Sequence, residues 1–507
     1  MSSYPEFPTD IEPHYFEACE TFIAIIRQLH GNACQSLVHG ELEEQIHTEG
    51  MELQRQLAQA YLNQRSAKEP VCEKQMGADG IARTHRRADC KRALETRFGE
   101  VSVSRMGYGG RAMDSVFPLD SALNLPADKY SHGLRKALAE AVIDNSFDSA
   151  LEQQKRLGGG HMGKRQAEQV IIRLSQDFEA FYAQPFSPGT TPEKLNETLL
   201  VISADGKGIV MHPESLREAT KAAAQAAVPK QETRLSPGEK RHRKRMATVL
   251  SVYEIEPQVR TAEQVLARQK TAQATRQRPK PEQKRTWAGV VKSQKAMVEE
   301  AFLEAIRRDP DQQMKWVVLI DGNEDLIRQV DVMANRYKVD VEVVQDFVHV
   351  LEYLWKAAHA LYPQPAERER WVGERAKAVL EGQAREVAIG LRRAATRAQL
   401  HRKKREPVDK AAEYIEKNQP RLRYDHALAA GLPIATGVIE GACRHLVKDR
   451  MDITGARWGL DQAEAILKLR SLKVSGHLEA YWAFHFCREH ERNYLSAPIP
   501  EALQQAA

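Results

Sequence analysis

Three carboxylates hold the chemistry that this sequence suggests. Asp205 follows "LLVISA" and Asp321 follows "WVVLI", so each is expected at the C-terminal end of a buried strand, where the chain turns out on a glycine. An Asp-Gly step is also ordinary turn punctuation, and either residue alone says little. Two acids at adjacent strand ends repel each other unless cations occupy the gap. Oxygen ligands of this kind suit Mg2+, which keeps several waters and is completed by substrate phosphate. Two such ions can clamp the attacking and leaving oxygens of an in-line displacement at phosphorus.

Two aspartates are few ligands for two ions, so a third carboxylate is expected on a neighbouring helix. Glu440 is the candidate, in "LPIATGVIEGACRHLVKDRMDITGARWG", residues 432–459. Thr436 is placed to cap a helix starting at Gly437, which sets Arg444 at i+4 and Lys448 at i+8 on the face of Glu440. A solvated Glu–Arg–Lys ladder is the plainer reading of that spacing. Against it stands the apolar lead-in "AAGLPIATGVI", which suggests that Glu440 enters from a packed region.

These residues need a sheet to hold them. "TLLVISADGKGIVM" reads as an apolar strand, an Asp-Gly turn and a second short strand, and "RMATVLSVYEIEP" as another strand ended by Pro257. "AMVEEAFLEAIRRDP" is an amphipathic helix stopped at Pro310, and residues 315–363 then read strand, helix, strand, helix. The expected class is multidomain α/β (α+β), a mixed sheet with flanking helices. The core is expected over 195–362 and again over 431–475, with a charged, purely helical stretch at 363–430 between them and a helical tail at 476–507. Ahead of it, residues 1–70 read as a helical arm and 71–118 as a small β segment. Residues 119–190 read as helices in which a helix-turn-helix could present Lys164 and Arg165, or in which an ordinary helical hairpin lies.

"GGGHMGKR", 158–165, nearly matches a phosphate-cradling loop. Arg165 stands where the magnesium-binding hydroxyl belongs and a helix precedes the glycines, so a nucleotide site is rejected.

Composition narrows the class. Hydrophobic residues make up 42% of the 507 and charged residues 28%, with no apolar run near the length of a bilayer span. The acidic start "MSSYPEFPTDIEPHY" has neither a basic nor an apolar export region, so a cytoplasmic location and no membrane partner are expected. Six cysteines without a C-x-x-C pair argue for reduced thiols. The net charge of +5 is unevenly spread: residues 230–245 hold seven Lys/Arg, among them Lys240, Arg241, Arg243, Lys244 and Arg245, and residues 268–285 hold seven more. Such runs serve as solvated loops or as a surface for a polyanion.

Four segments in order, "ISADGKGIVM", "LIDGN", "DFVHVLEYLWKAAHALYP" and "GLPIATGVIEGACRHLVKDRMDITGARWG", resemble the ISKra-type insertion-sequence transposases, DDE enzymes with a ribonuclease-H-like catalytic domain. The likeness runs from about residue 72 to 490. It implies transposition of a prokaryotic element by cutting and joining its DNA ends, with Asp205, Asp321 and Glu440 as the triad and two Mg2+ ions, for which Mn2+ would substitute. It implies terminal inverted repeats and target DNA as partners, a homodimer or higher homo-oligomer on DNA, and a nucleoid-associated location.

The gap of 119 residues between Asp321 and Glu440 exceeds what a simple core of that kind needs, so 363–430 reads as an insertion, as in Mutator-like and hAT-like relatives. Those relatives often carry Cys or Asp followed three residues later by His after the second catalytic strand, which here gives Asp346 and His349. His349 shares a helical face with Glu352, Tyr353 and Lys356, away from the apolar face, and is either solvated or set at the scissile phosphate. Arg444 and Lys448 would face the phosphate backbone. Trp355 and the Arg457–Trp458 pair would pack in the core, or would stack on an unpaired base near the cut. Arg83, Arg86, Arg87, Lys164 and Arg165 would bind the repeats. A nuclease on the same fold without strand transfer, or an idle DNA-binding protein, are the competing readings.

Overall fold

In the computed structural model, residues 13–31, 34, 36–184, 197–227, 242–267, 279–495, 497–501 and 503 are described. Lys240, Arg241 and most of the run 268–285 lie outside them. The chain divides into two units, residues 1–183 with 477–507, and residues 184–476.

In the first unit the helix Phe16–His30 leads to the 29-residue helix His39–Ala67. Two short strands, β1 (Gln75–Met76) and β2 (Ala82–Arg83), pair with each other, and β3 (His85–Thr96), β4 (Gly99–Gly110) and β5 (Met113–Val116) form an antiparallel sheet in chain order. Val101 and Val103 of β4 point inward at period two and join Leu62 of the long helix, Leu94, Leu119 and Leu125 in a small core. Three helices follow, His132–Asp144, Phe147–Leu157 and Lys164–Leu174, packed pairwise. Ser131 and Ser146 cap the first two through the N–H groups of Leu134 and Ser149.

The linker 158–163 is longer than the three or four residues of a helix-turn-helix turn. Its glycines have a packing reason. A Cβ on Gly159 or Gly160 would run into the carbonyls of Phe98 and Thr96 in the β3–β4 hairpin, and Gly159 donates its N–H to Arg97 O at 3.0 Å. The residues read from sequence as a false phosphate loop are therefore a close backbone contact.

The helix Leu478–Asn493 belongs to this unit as well. Tyr481 Oη donates to Leu174 O at 2.6 Å, and the buried His485 and Glu489 meet Asp177 at 2.6 Å and Arg135 at 2.7 Å.

The second unit is built on a five-stranded mixed sheet of β6 (Leu199–Val210), β7 (Lys244–Ile255), β8 (Glu282–Gly289), β9 (Lys315–Ile320) and β10 (Val341–Gln345), in the order β10-β9-β6-β7-β8. β6 and β7, and β7 and β8, are antiparallel, whereas β6–β9 and β9–β10 are parallel. The parallel links are made by the helices Gln294–Arg308 and Glu324–Tyr337. Val317 to Ile320 are fully buried, the continuous apolar run of a strand covered on both faces.

The expected turn at Asp205-Gly206 is not there. β6 runs unbroken through both residues and stays paired with β7 from Leu199–Ile255 to Val210–Lys244. The twelve-residue β7 offers ladder partners along the whole length, and this outweighs the local turn signal. β8 had no counterpart in the sequence reading. Arg285 in it is buried against Glu304 at 2.5 Å and stacks on Trp287 at 4.3 Å, so this part of the basic run is structural.

Between β10 and the Glu440 segment lie the helices Phe347–Leu361, Pro365–Leu380, Ala384–Arg397, Arg402–Asn418 and Tyr424–Ala429. Their buried residues, among them Val350, Leu354, Val379, Leu391 and Ile415, form one core with Leu199, Val201, Val317, Leu319 and Val344 of the sheet. Among the described residues no helix is long and apolar enough to cross a membrane.

Candidate active site

Parallel pairing sets the acids in line. The 116-residue offset that pairs Leu199 with Lys315, and each residue to Ser203 with Leu319, is also the offset from Asp205 to Asp321. The 25-residue offset that pairs Val341 with Trp316 likewise relates Asp346 to Asp321, and Asp346 N donates to Ile320 O at 2.8 Å. Asp205 in β6, and Asp321 and Asp346, each one residue past the end of β9 and β10, therefore fall at one level across the three strands.

Each acid is held differently. Asp205 Oδ1 accepts the N–H of Gly206 at 2.6 Å and Oδ2 accepts the thiol of Cys443 at 3.1 Å. Asp321 Oδ1 accepts Asn323 N at 3.0 Å, on a turn where Gly322 adopts φ +91° and Asn323 caps the next helix. That turn is braced from the insertion: Tyr414 Oη donates to Asp321 O at 3.2 Å and accepts from Gln345 Nε2 at 2.7 Å. Tyr414 also stacks on Tyr353 with ring centroids 4.0 Å apart.

Asp346 is fully buried and saturated. It accepts from Val348 N at 3.2 Å as the cap of its helix, from Thr436 N at 3.1 Å, and from His349 Nδ1 at 2.7 Å. Burial opposes its ionisation, yet the bonds from His349 and Thr436 bring its carboxyl below the ordinary value. The same bond to Asp346 raises the His349 imidazole to about 8 against its partial burial, with smaller help from Asp321 and Glu352. Nδ1 is engaged, so Nε2 is the ring nitrogen left for another partner.

Glu440 lies in the short helix Gly437–Ala442. Thr436 occupies the cap position, but its hydroxyl donates to Glu440 Oε1 at 3.5 Å instead of accepting from the helix backbone. Because Thr436 is also tied to Asp346, Glu440 comes within reach of the Asp346–His349 pair: one ligand atom of each lies within 4.8 Å of the others. The sequence expected Glu440 to close on Asp205 and Asp321. Among the described residues the tight group is Asp346, His349 and Glu440, with Asp205 joined to the next turn through Cys443. Asp346 is fully buried and takes three donors, His349 among them, whereas Asp205, Asp321 and Glu440 are not buried.

The helix then widens into a π turn over Cys443–Lys448. Buried Arg470 donates through Nε to Leu446 O at 2.8 Å, satisfying a carbonyl in that turn. The turn buries Cys443, Leu446 and Val447 and exposes Arg444, His445 and Lys448. The expected Glu–Arg–Lys spacing is thereby rephased, and Arg444 pairs with Asp449 at 3.9 Å. Burial pushes the Cys443 thiol up, and Asp205 pushes it further, so it remains a neutral donor.

The other sequence candidates separate into exposed and structural groups. Arg86, Arg87, Lys164, Arg165, Lys244 and Arg457 are exposed, with Lys164 paired to Asp148 at 2.8 Å. Arg243 is half-buried. Arg245 donates to the carbonyls of Val290 at 2.8 Å and Ser215 at 3.1 Å, and Arg83 is buried against Asp79 at 2.8 Å, so both serve the fold. Trp458 is buried too: its indole N–H donates to Met451 O at 2.9 Å, Arg450 covers its ring at 4.8 Å, and its backbone pairs with Met211. Stacking on a base needs an open ring, so Trp458 belongs to the core. Sequence reasoning missed Cys443 and Tyr414 as supports of the site. The position of Cys443, three residues after Glu440, was the available signal.

Neither a protein-family model nor a curated protein matches the chain.

Proposed function

We propose that the chain is a metal-dependent DNA strand transferase, a DDE transposase of the ISKra type, working on terminal inverted repeats and target DNA. The observation that carries the reading is the alignment of Asp205 with Asp321 on neighbouring parallel strands, with the Glu440 helix docked on Asp205 through Cys443. The mixed sheet, two antiparallel pairings followed by parallel strand-helix-strand links, is compatible with a ribonuclease-H-like core carrying a helical insertion.

In this reading Asp205, Asp321 and Glu440 would hold two Mg2+ ions, which supply charge neutralisation at the scissile phosphate. Mn2+ is expected to substitute. The residues of the chain orient the phosphodiester for attack by water, which frees a 3′-hydroxyl, and then for attack by that hydroxyl on a second phosphodiester. His349, protonated and fixed by Asp346, presents Nε2–H to a phosphate oxygen. The exposed Arg444 and Lys448 follow the backbone on either side. Such a protein works on DNA as a homodimer or larger assembly in the nucleoid of a prokaryotic cell.

A supercoiled plasmid bearing the sequences that flank the reading frame, incubated with purified protein and Mg2+, tests this. Nicked and joined products are expected from the wild type and neither from Asp205→Asn, Asp321→Asn or Glu440→Gln. Wild-type rates in those variants would overturn the assignment, and nicking without joining would make the protein a nuclease.

A further inference from the structure

On the helical insertion many bases meet an acid: Lys377 pairs with Glu263 at 2.6 Å, Arg392 with Glu416 at 2.8 Å, Arg405 with Asp409 at 3.1 Å and Lys410 with Glu406 at 2.6 Å. One end of it differs. From Val387 to Arg405 the chain holds seven Lys/Arg and neither Asp nor Glu. Five of these, Arg393, Arg397, Arg402, Lys403 and Lys404, are exposed, and among the described residues none of the five has an ion-pair partner. Arg402, Lys403 and Lys404 fill the first turn of the helix Arg402–Asn418, which has no acid there and no side-chain cap. Cations at that end repel one another and oppose the helix dipole, and an anion relieves both. Arg393 and Arg397 lie one turn apart on the neighbouring helix Ala384–Arg397, on the side away from its buried Leu391 and Ala395. Arg405 Nη1 donates to Thr396 Oγ1 at 3.2 Å, so the basic end of one helix adjoins the basic start of the next.

The composition of this end selects the anion. Residues 384–405 contain no Phe, Tyr or Trp to stack on an unpaired base. Among the described residues Ile389 is the one large apolar side chain exposed there, too little to enter a lipid surface. What is left is cationic charge spread over two helices, the footprint of a duplex phosphate backbone. The same helix carries Tyr414, whose Oη donates to Asp321 O at 3.2 Å. Lys404 and Arg402 precede Tyr414 by ten and twelve residues, or about 15–18 Å of helix at roughly 1.5 Å per residue. At roughly 3.4 Å per base pair, that length spans about five base pairs.

We propose that the basic end of the helical insertion, formed by Arg393, Arg397, Arg402, Lys403 and Lys404, is a second DNA site, which grips the phosphate backbone of a duplex about five base pairs from the point of cleavage, whatever its sequence. The register from the cut rests on the proposed function; the site itself does not. The helix Arg402–Asn418 is then a ruler, with duplex phosphates at its first turn and the Asp321 turn at Tyr414.

Fluorescence anisotropy of the full chain with a labelled duplex of arbitrary sequence, in Mg2+-free buffer over a salt series, tests the site without calling on catalysis. Replacing all five bases (Arg393→Gln, Arg397→Gln, Arg402→Gln, Lys403→Gln, Lys404→Gln) is expected to make the plot of log K against log salt less steep by about 4, and to weaken binding by about tenfold or more. Arg393→Gln with Arg397→Gln alone is expected to remove about 2 of that slope. Lys377→Gln, which takes away a base already paired, is expected to leave it unchanged. The melting temperature of the five-fold variant is expected to hold or rise, because bases at a helix start oppose its dipole. An unchanged slope in both multiple variants, or a wild type that binds no duplex, would overturn the proposal. Loss of binding to anionic vesicles with the duplex slope intact would also overturn it and make the patch a lipid site. Ethylation interference reads the register: phosphates about five base pairs from the cleavage point are expected to matter for the wild type and not for the five-fold variant. Failure of the triad assignment would appear instead as cleavage by Asp205→Asn, with the salt slope of the wild type intact.

Discussion

The thiol of Cys443 donates to Asp205 Oδ2 over 3.1 Å, joining the turn after Glu440 to a strand 238 residues earlier in sequence. With Gly206 N–H on Oδ1, both oxygens of Asp205 are oriented. Cys443→Ala removes one of these donors and is expected to lower DNA cleavage by about fivefold, the worth of one ordinary hydrogen bond, and to raise the Mg2+ concentration needed for half-maximal rate. Cys443→Ser keeps a donor and is expected to recover most of the loss. Equal metal dependence in the wild type and both variants would remove Cys443 from the site.

The charge on His349 depends on Asp346. In the metal-free protein its imidazole is expected to titrate near 8 by histidine NMR, and Asp346→Asn is expected to bring that value down to or below the ordinary 6.5. The folded value is raised, so the stabilisation from the pair is fully present below pH 6.5 and fades as pH rises through about 8. His349 is about one third exposed, and solvent screening keeps the effect on stability small. An unchanged titration in Asp346→Asn would contradict the bond as the cause.

Glu304 is the buried counter-ion of the sheet. It meets Arg285 at 2.5 Å and Arg308 at 2.7 Å, and it also pairs with Arg307. Burial alone would raise its carboxyl, but the arginines bring it below the ordinary value. Glu304→Ala leaves buried guanidinium groups uncompensated and is expected to cost about 3–5 kcal/mol, read as a lowered midpoint in denaturant. In the wild type this contribution is present above the ordinary carboxylate value and is lost as pH falls through the lowered one.

Gly160 tests the reading of the glycine run as a packing contact. A Cβ there meets the Thr96 carbonyl and lies 2.8 Å from Leu134 Cδ1, so Gly160→Ala is expected to destabilise the first unit by about 1–3 kcal/mol. Nucleotide is expected to leave the wild-type melting temperature unchanged. A concentration-dependent rise with ATP would restore the phosphate-loop reading.

The sequence conveyed elements whose signals are local and strong. The buried strands before Asp205 and Asp321, the apolar face of the His349 helix and the helical stretch after it are all present. What escaped depends on partners distant in sequence. β8 takes in Lys284 and Arg285 from the end of a basic run, and Arg285 is accommodated in the strand by Glu304 of the following helix. The Asp205-Gly206 step looks like a turn until β7 is laid alongside it. The closeness of Glu440 to His349 follows from bonds between segments far apart in sequence, Thr436 N to Asp346 over 90 residues and Phe347 N to Ile434 O. The π turn has no sequence period of its own, and its rephasing of Arg444 and Lys448 could not be read from i+4 counting.

Asp205 and Asp321 share a rank but not a mechanical footing. Asp205 sits inside a strand with β7 bonded along its full length, whereas Asp321 sits on a turn whose brace, Tyr414, comes from the helical insertion. One carboxylate is held by the sheet and the other by the insertion. The position of Asp321 thus depends on the seating of the insertion as well as on the pairing of β6 with β9, and a change at Tyr414, remote in sequence from both acids, would reach one of them and not the other.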